Sequence, residues 1–198
     1  MTSSTFATDR YCLLRGALPP MLLAQVAEVA APLVRQSGRG EMRETDGIAE
    51  GSSSWYGHKP LDGILDFLRP AFERAIGEPL LPTYSFIRCY PRGTRLIRHR
   101  DRQACEVSVT LPIAGSDGTP WPIHLGLRHK ALAAPDMALG DALIYSGCEL
   151  WHWREPLAAD WRLQLFLHYV RRDGRYAEWK FDKRERLGDP PVAGTGSV

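Results

Sequence analysis

The stretch Arg95–Ile113, RLIRHRDRQACEVSVTLPI, reads as two short strands around a polar turn: Arg95 to Arg98, then the β-branched run Val107 to Ile113. Between them stands His99-Arg100-Asp101. In extended backbone, residues two apart point to the same side, so this imidazole and carboxylate can face one point.

The same signature continues outward in both directions. Tyr84 to Tyr90, Pro122 to Leu127, Ala142 to Tyr145, Leu150 to Trp153 and Leu163 to Val170 are short runs rich in β-branched and aromatic residues. Turn sequences separate them: Pro91-Arg92-Gly93, Gly115-Ser116-Asp117-Gly118 and Leu139-Gly140-Asp141. Upstream, Tyr11 to Arg15 suits a short strand, and Pro19-Pro20 opens a helix that runs to about Val34. Leu61, Ile64, Leu65, Leu68 and Phe72 then recur at helical spacing in a second helix, Leu61 to Ile76, closed by Gly77. Many short strands preceded by two helices predict a mainly β fold, a jelly-roll barrel (double-stranded β-helix) with helices supporting one face.

The chain divides accordingly into a helical support over 1–82, a barrel over 83–187 and a Gly/Pro-rich disordered tail over 188–198, the first two in one domain. The polar connection Gln36 to Pro60 is long for a compact domain, and Trp55, Tyr56 and His58 near its end suit either a lid or a mobile loop.

Composition excludes several classes. A net charge of +2 over 198 residues is too small to imply nucleic acid, although Arg88, Arg92, Arg95, Arg98, Arg100 and Arg102 crowd one stretch, as a solvated strand or an anion-binding surface. The four cysteines have no Cys-x-x-Cys spacing, which leaves free buried thiols rather than a zinc knuckle or disulfide framework. No run of about 18 apolar residues exists to span a membrane and no signal peptide opens the chain, so the expected location is cytosolic. The sequence sets no oligomeric state.

His-x-Asp alone is weak, since six histidines give roughly a third of an occurrence by chance. Its companions strengthen it. His152 follows a strand, a turn and a strand, where barrel closure can return it to the same point, and two histidines with one carboxylate on one face of an octahedron suit non-haem iron. Ten residues on, Arg162 opens an apolar strand, and its guanidinium can take a carboxylate through two parallel hydrogen bonds or pair with a surface acid.

Tyr90-Pro91-Arg92-Gly93, His99-Arg100-Asp101, Gly140-Asp141-Ala142-Leu143-Ile144-Tyr145, His152 and Arg162, in that order over roughly residues 83–171, resemble the iron(II)/2-oxoglutarate dioxygenases, especially the prolyl-hydroxylase-like branch. The resemblance implies that His99, Asp101 and His152 hold Fe(II) and that Arg162 binds the far carboxylate of the cosubstrate 2-oxoglutarate. Tyr90 matches a tyrosine that assists Arg162, with Tyr84 as a substitute. It further implies that O2 is consumed, that succinate and CO2 are released and that a C–H bond of the substrate is hydroxylated; Asp101 argues against a halogenase, where a small residue is typical. The compact chain favours a small-molecule or amino-acid-like substrate, with Arg88, Arg98, Arg102 and Arg128 as candidates for an acidic group.

Trp151 and Trp153, which flank His152, depart from the familiar pattern and suit either the substrate pocket or the barrel core. His124, His129 and His168 are expected to be structural, and Asp141 to be a turn residue. Two rivals remain: a jelly-roll metalloenzyme that does not use 2-oxoglutarate, for which a pocket-facing Arg162 would be a costly buried charge, and a non-catalytic binding module, which would hold no metal.

Overall fold

The computed structural model describes residues 6–38, 47–127 and 130–192. Ten strands form two antiparallel sheets. The larger, in spatial order, is β1 (Tyr11–Leu14), β8 (Ala142–Ser146), β5 (Val107–Gly115), β10 (Trp161–Arg171), β3 (Leu80–Pro91) and β2 (Ser53–Tyr56). The smaller is β4 (Leu96–His99), β9 (Trp151–Arg154), β6 (His124–Leu127) and β7 (Lys130–Ala133). From β3 onward the chain passes back and forth between the sheets, and that alternation makes the fold a double-stranded β-helix, as the strand pattern predicts.

Period-2 alternation in the large sheet sorts the side chains into two layers. Ile87 and Cys89 of β3, Val107, Val109 and Leu111 of β5, and Leu163, Leu165 and Leu167 of β10 join one core with the helices α2 (Pro20–Gly38) and α3 (Lys59–Ile76). A short α1 (Phe6–Asp9) adds Phe6 to it. α3 contributes Leu61, Ile64, Leu65, Leu68, Phe72 and Ile76, the stripe read from the sequence. Each such side chain, fully buried, contributes roughly 1.5–3 kcal/mol of transfer free energy. α3 stops at Gly77, whose φ of 79° places it in the left-handed region and whose N–H bonds Glu73 O. Among the described residues, no helix is long and apolar enough to cross a membrane.

The intervening residues of these strands face the barrel interior: Tyr84, Phe86, Arg88 and Tyr90 of β3, Ser108 and Thr110 of β5, and Gln164, Phe166 and His168 of β10.

Two strands were not foreseen. Ser53–Tyr56, in the connection read as a lid or mobile loop, pairs with β3 as an edge strand from Ser53↔Cys89 to Tyr56↔Phe86. Lys130–Ala133 extends the small sheet beyond β6. Residues 39–46 of that connection, Arg128, His129 and residues 193–198 lie outside the described residues.

Beyond β10 the chain folds back through a 3-10 turn (Ala177–Lys183) in which Phe181, Asp182 and Lys183 have φ of 54°, 55° and 65°. Non-glycine residues resist that region, so contacts must hold them there. Arg102 donates two hydrogen bonds to Asp182, each of 2.7 Å, and Tyr56 Oη donates a third. Nearby, the buried Asp62 of α3 accepts from Ser85 N (2.9 Å), Ser85 Oγ (2.6 Å), Gly188 N (2.9 Å) and Arg184 Nη1 (3.1 Å).

Candidate metal centre

His99 and His152 are register partners across the β4–β9 pair, with ring centroids 4.2 Å apart. Asp101 follows two residues after His99, and its backbone N–H bonds Gly147 O at 2.9 Å. Each imidazole is oriented by the carbonyl two residues before it: His99 Nδ1 lies 2.8 Å from Ile97 O, and His152 Nδ1 lies 3.1 Å from Leu150 O. The Nε2 atoms therefore point toward Asp101 Oδ1, at 3.6 Å from His99 and 3.3 Å from His152. One ligand atom from each of the three residues falls within 4.8 Å of the others.

The other oxygen of Asp101 is engaged. Ser108 Oγ donates to Asp101 Oδ2 at 2.6 Å and stands 3.0 Å from His168 Nδ1. The single hydroxyl proton goes to the nearby carboxylate, which leaves His168 Nδ1 as the donor to Ser108. Burial pushes His168 down to about 4, so its ring is neutral at physiological pH. Burial also opposes ionisation of Asp101, but the charge and hydrogen bonds of His152 and His99 outweigh it and hold the carboxyl well below its usual range. For His99, burial favours the neutral ring, and the hydrogen bond and charge of Asp101 reverse that and raise it. Gly147 permits the arrangement: a Cβ there would stand 2.3 Å from Asp101 Oδ2 and Cys105 O and 2.6 Å from Ser108 Oγ.

The three residues face a narrow cleft of about 40 Å³, walled by Tyr84, Phe86, Arg88, Tyr90 and Phe166. Arg88 is 3% exposed, and its Cζ lies 4.9 Å from the Phe86 ring centroid and 5.7 Å from that of Tyr90. His99 and Asp101 also border an open depression of about 510 Å³ rimmed by Arg98, Arg100, Arg102, Arg175, Trp151 and Tyr176.

The structure thus brings His99, Asp101, His152 and Tyr90 to one cleft. Arg162 is buried in an adjoining cavity instead, where Nη2 donates to Thr119 O and stands 4.0 Å from Asp117. Trp151 and Trp153 belong to neither the wall of the narrow cleft nor the barrel core, and Trp151 rims the open depression instead. Alternation puts His152 inside β9 and both tryptophans outside, where Arg98 covers them at 4.8 and 5.3 Å and Arg100 lies 5.1 Å from Trp151. His124 stacks on Trp153 on the same outer face, with centroids 5.2 Å apart. Asp141 is a turn residue, accepting from Gly16 N (2.8 Å) and Ala138 N (2.9 Å).

Sequence reasoning missed Ser108 and Arg154. Arg154 was detectable by period alone: two residues after His152 in one strand, it must share the inward face.

No protein-family model matches the sequence, and no curated protein matches it. Solved structures do. A prolyl-4-hydroxylase from Pseudomonas putida superposes with a TM-score of 0.62 at 21% identity, over 85% of this chain and 96% of that one. A prolyl hydroxylase from Trichoplax adhaerens, in complex with a hypoxia inducible factor peptide fragment, gives 0.61 at 18%, over 84% and 86%. The non-heme alpha ketoglutarate dependent epimerase SnoN from nogalamycin biosynthesis gives 0.67 at 11%, over 96% and 91%. The fold is the double-stranded β-helix of the iron(II)/2-oxoglutarate oxygenase structures. Prolyl hydroxylases are among its structural neighbours.

Proposed function

We propose that the protein is a non-haem iron(II)- and 2-oxoglutarate-dependent oxygenase that hydroxylates a C–H bond, with His99, Asp101 and His152 as the iron ligands. The observation that carries this reading is the convergence of two imidazole Nε2 atoms and one carboxylate oxygen within 4.8 Å, at the mouth of a barrel of this fold. The donor set fits the metal: two nitrogens and one oxygen, without thiolate, suit iron(II), and three protein ligands would leave it positions for an oxo acid and O2. Both rings are tethered through Nδ1, so their free nitrogens face one point, and Ser108 occupies Asp101 Oδ2, so one oxygen is offered.

When bound, iron with 2-oxoglutarate supplies the activation of O2 that an inert C–H bond requires, with succinate and CO2 released. The chain's own residues do the rest. The β4–β9 pairing fixes the separation of the histidines, and Tyr84, Phe86 and Phe166 keep water from the reacting side. Arg162 and Tyr90 are register partners on β10 and β3, and in this reading they bind the far carboxylate of 2-oxoglutarate. The narrow cleft must widen to admit an organic ligand.

The arginine-rimmed depression on His99 and Asp101 favours a small substrate with an anionic group. A peptide, like the one bound by the Trichoplax neighbour, would cross the same depression.

The test adds iron(II) and 2-oxoglutarate to metal-free protein without O2 and follows the weak visible charge-transfer band of the chelate. Loss of the band in His152→Ala, and a higher 2-oxoglutarate requirement in Arg162→Ala, support the reading. Iron binding without a band favours a metalloenzyme that does not use the oxo acid, and no metal binding favours a binding module.

A further inference from the structure

Arg154 is 2% exposed, in the barrel interior, and among the described residues no carboxylate lies within ion-pair distance of it. Nη1 donates to Trp121 O, Nη2 lies at the hydrogen-bond limit, 3.5 Å from Thr110 Oγ1, and the Cζ stacks 4.7 Å from the Trp121 ring centroid. Its Nε has no hydrogen-bond partner, and neither does the Nε of Arg162. Arg162 is 6% exposed, and its nearest acid, the half-exposed Asp117, stands at 4.0 Å. Both arginines, with Gln164, line one cavity of about 510 Å³.

Two buried like charges with unfilled donors are expensive, and a fold that keeps them has a compensating partner in its working state. Carbonyl acceptors satisfy single N–H groups but leave the charge uncompensated. A carboxylate or similar oxyanion does both, since its two oxygens match the planar donor edge of a guanidinium. The tyrosine Tyr90 lines the metal cleft and packs edge-on against Trp121 of this cavity, with centroids 4.8 Å apart, so the aromatic pair is the partition between the two spaces.

We propose that Arg154, together with Arg162, forms a two-guanidinium site for a carboxylate or other small oxyanion in the cavity behind Tyr90 and Trp121. The ligand is the far carboxylate of the 2-oxoglutarate invoked above, reaching past Tyr90, or a separate anion. Only the first source rests on the oxygenase reading.

The experiment uses full-length metal-free protein. Succinate, 2-oxoglutarate and sulfate are titrated by calorimetry, and melting temperature is compared in sulfate and chloride at equal ionic strength. Wild type should bind 1:1 and melt higher in sulfate. Arg154→Gln should bind roughly tenfold or more weakly, the loss of a hydrogen bond to a charged group, and should lose the sulfate-dependent rise. Arg154→Lys keeps the charge without the planar fork and should fall between them.

If the ligand is the cosubstrate carboxylate, sulfate competes with 2-oxoglutarate for the anaerobic iron(II) band, and Arg154→Gln raises the half-saturating 2-oxoglutarate. If the anion is separate, sulfate still binds with 2-oxoglutarate present and the band is unchanged by Arg154→Gln. The site is overturned if wild type binds none of the three probes and melts alike in both salts, or if folded Arg154→Gln binds as tightly as wild type. Anion binding without any iron(II)–2-oxoglutarate band would sink the oxygenase reading and leave this site standing.

Discussion

Replacing Ser108 with alanine deletes the hydroxyl that donates to Asp101 Oδ2 at 2.6 Å and stands 3.0 Å from His168 Nδ1. One short hydrogen bond to a charged group contributes about 1.5–3 kcal/mol. Without it, Asp101 can swing toward Cys105 or offer both oxygens to a metal, so Ser108→Ala should weaken metal binding roughly 10- to 100-fold, the usual range for a partner that orients a ligand. The variant also leaves Asp101 Oδ2 and His168 Nδ1 with a lost partner in a buried setting, so its metal-free melting temperature should fall as well. The assay is competition for cobalt(II) or iron(II) against a coloured chelator, with Ser108→Thr, which retains the hydroxyl, as the rescue. A Ser108→Ala protein that binds metal within about twofold of wild type, near the noise of such comparisons, would show that the serine does not position Asp101.

Gly147→Ala pushes a methyl to 2.3 Å from Asp101 Oδ2 and Cys105 O, contacts that only backbone or ligand movement relieves. Overpacking of this kind costs about 1–3 kcal/mol, so the variant should melt lower and bind metal more weakly, both checked in one thermal titration with and without metal. Asp62→Ala strands the buried Arg184 guanidinium, now 3.1 Å from its carboxylate; a loss of about 3–5 kcal/mol is expected in urea unfolding, and a double replacement, Asp62→Leu with Arg184→Met, should recover only the part owed to the stranded guanidinium, because Ser85 N and Gly188 N still lose their acceptor. For the thiols, burial raises Cys12 from 9.0 to about 11 and Cys148 from 9.0 to about 12. A raised value suppresses the thiolate at every pH below it, so near pH 8 alkylation of the native protein should run roughly 100-fold (Cys12) and 1000-fold (Cys148) slower than in denaturant, with rates climbing as pH rises; either thiol reacting at the denatured rate would refute this.

The grouping of His99, Asp101 and His152 was legible because it rests on short-range patterns. His-x-Asp on extended backbone needs only period 2, and His152 returns because β4 and β9 pair in register. The same rule, carried along β9, puts Trp151 and Trp153 on the outer face and Arg154 on the inner one. Ser108 and His168 were not legible: they meet across 60 residues of chain on adjacent strands, and a serine in a strand has no local mark of the carboxylate it will serve. The edge strands Ser53–Tyr56 and Lys130–Ala133 are four residues each, with compositions that specify no strand. They form because a neighbouring strand presents unpaired backbone groups, a tertiary cause that local propensity does not carry.

Arg102 ties the loop after Asp101 to Asp182, a partner 80 residues downstream. During synthesis on the ribosome the barrel strands emerge first, and the loop that carries Asp101 stays without this brace until Asp182 has left the exit tunnel. In the proposed reading, a nascent chain halted before Asp182 should therefore hold the metal more poorly than the finished molecule, even with His99, Asp101 and His152 all present.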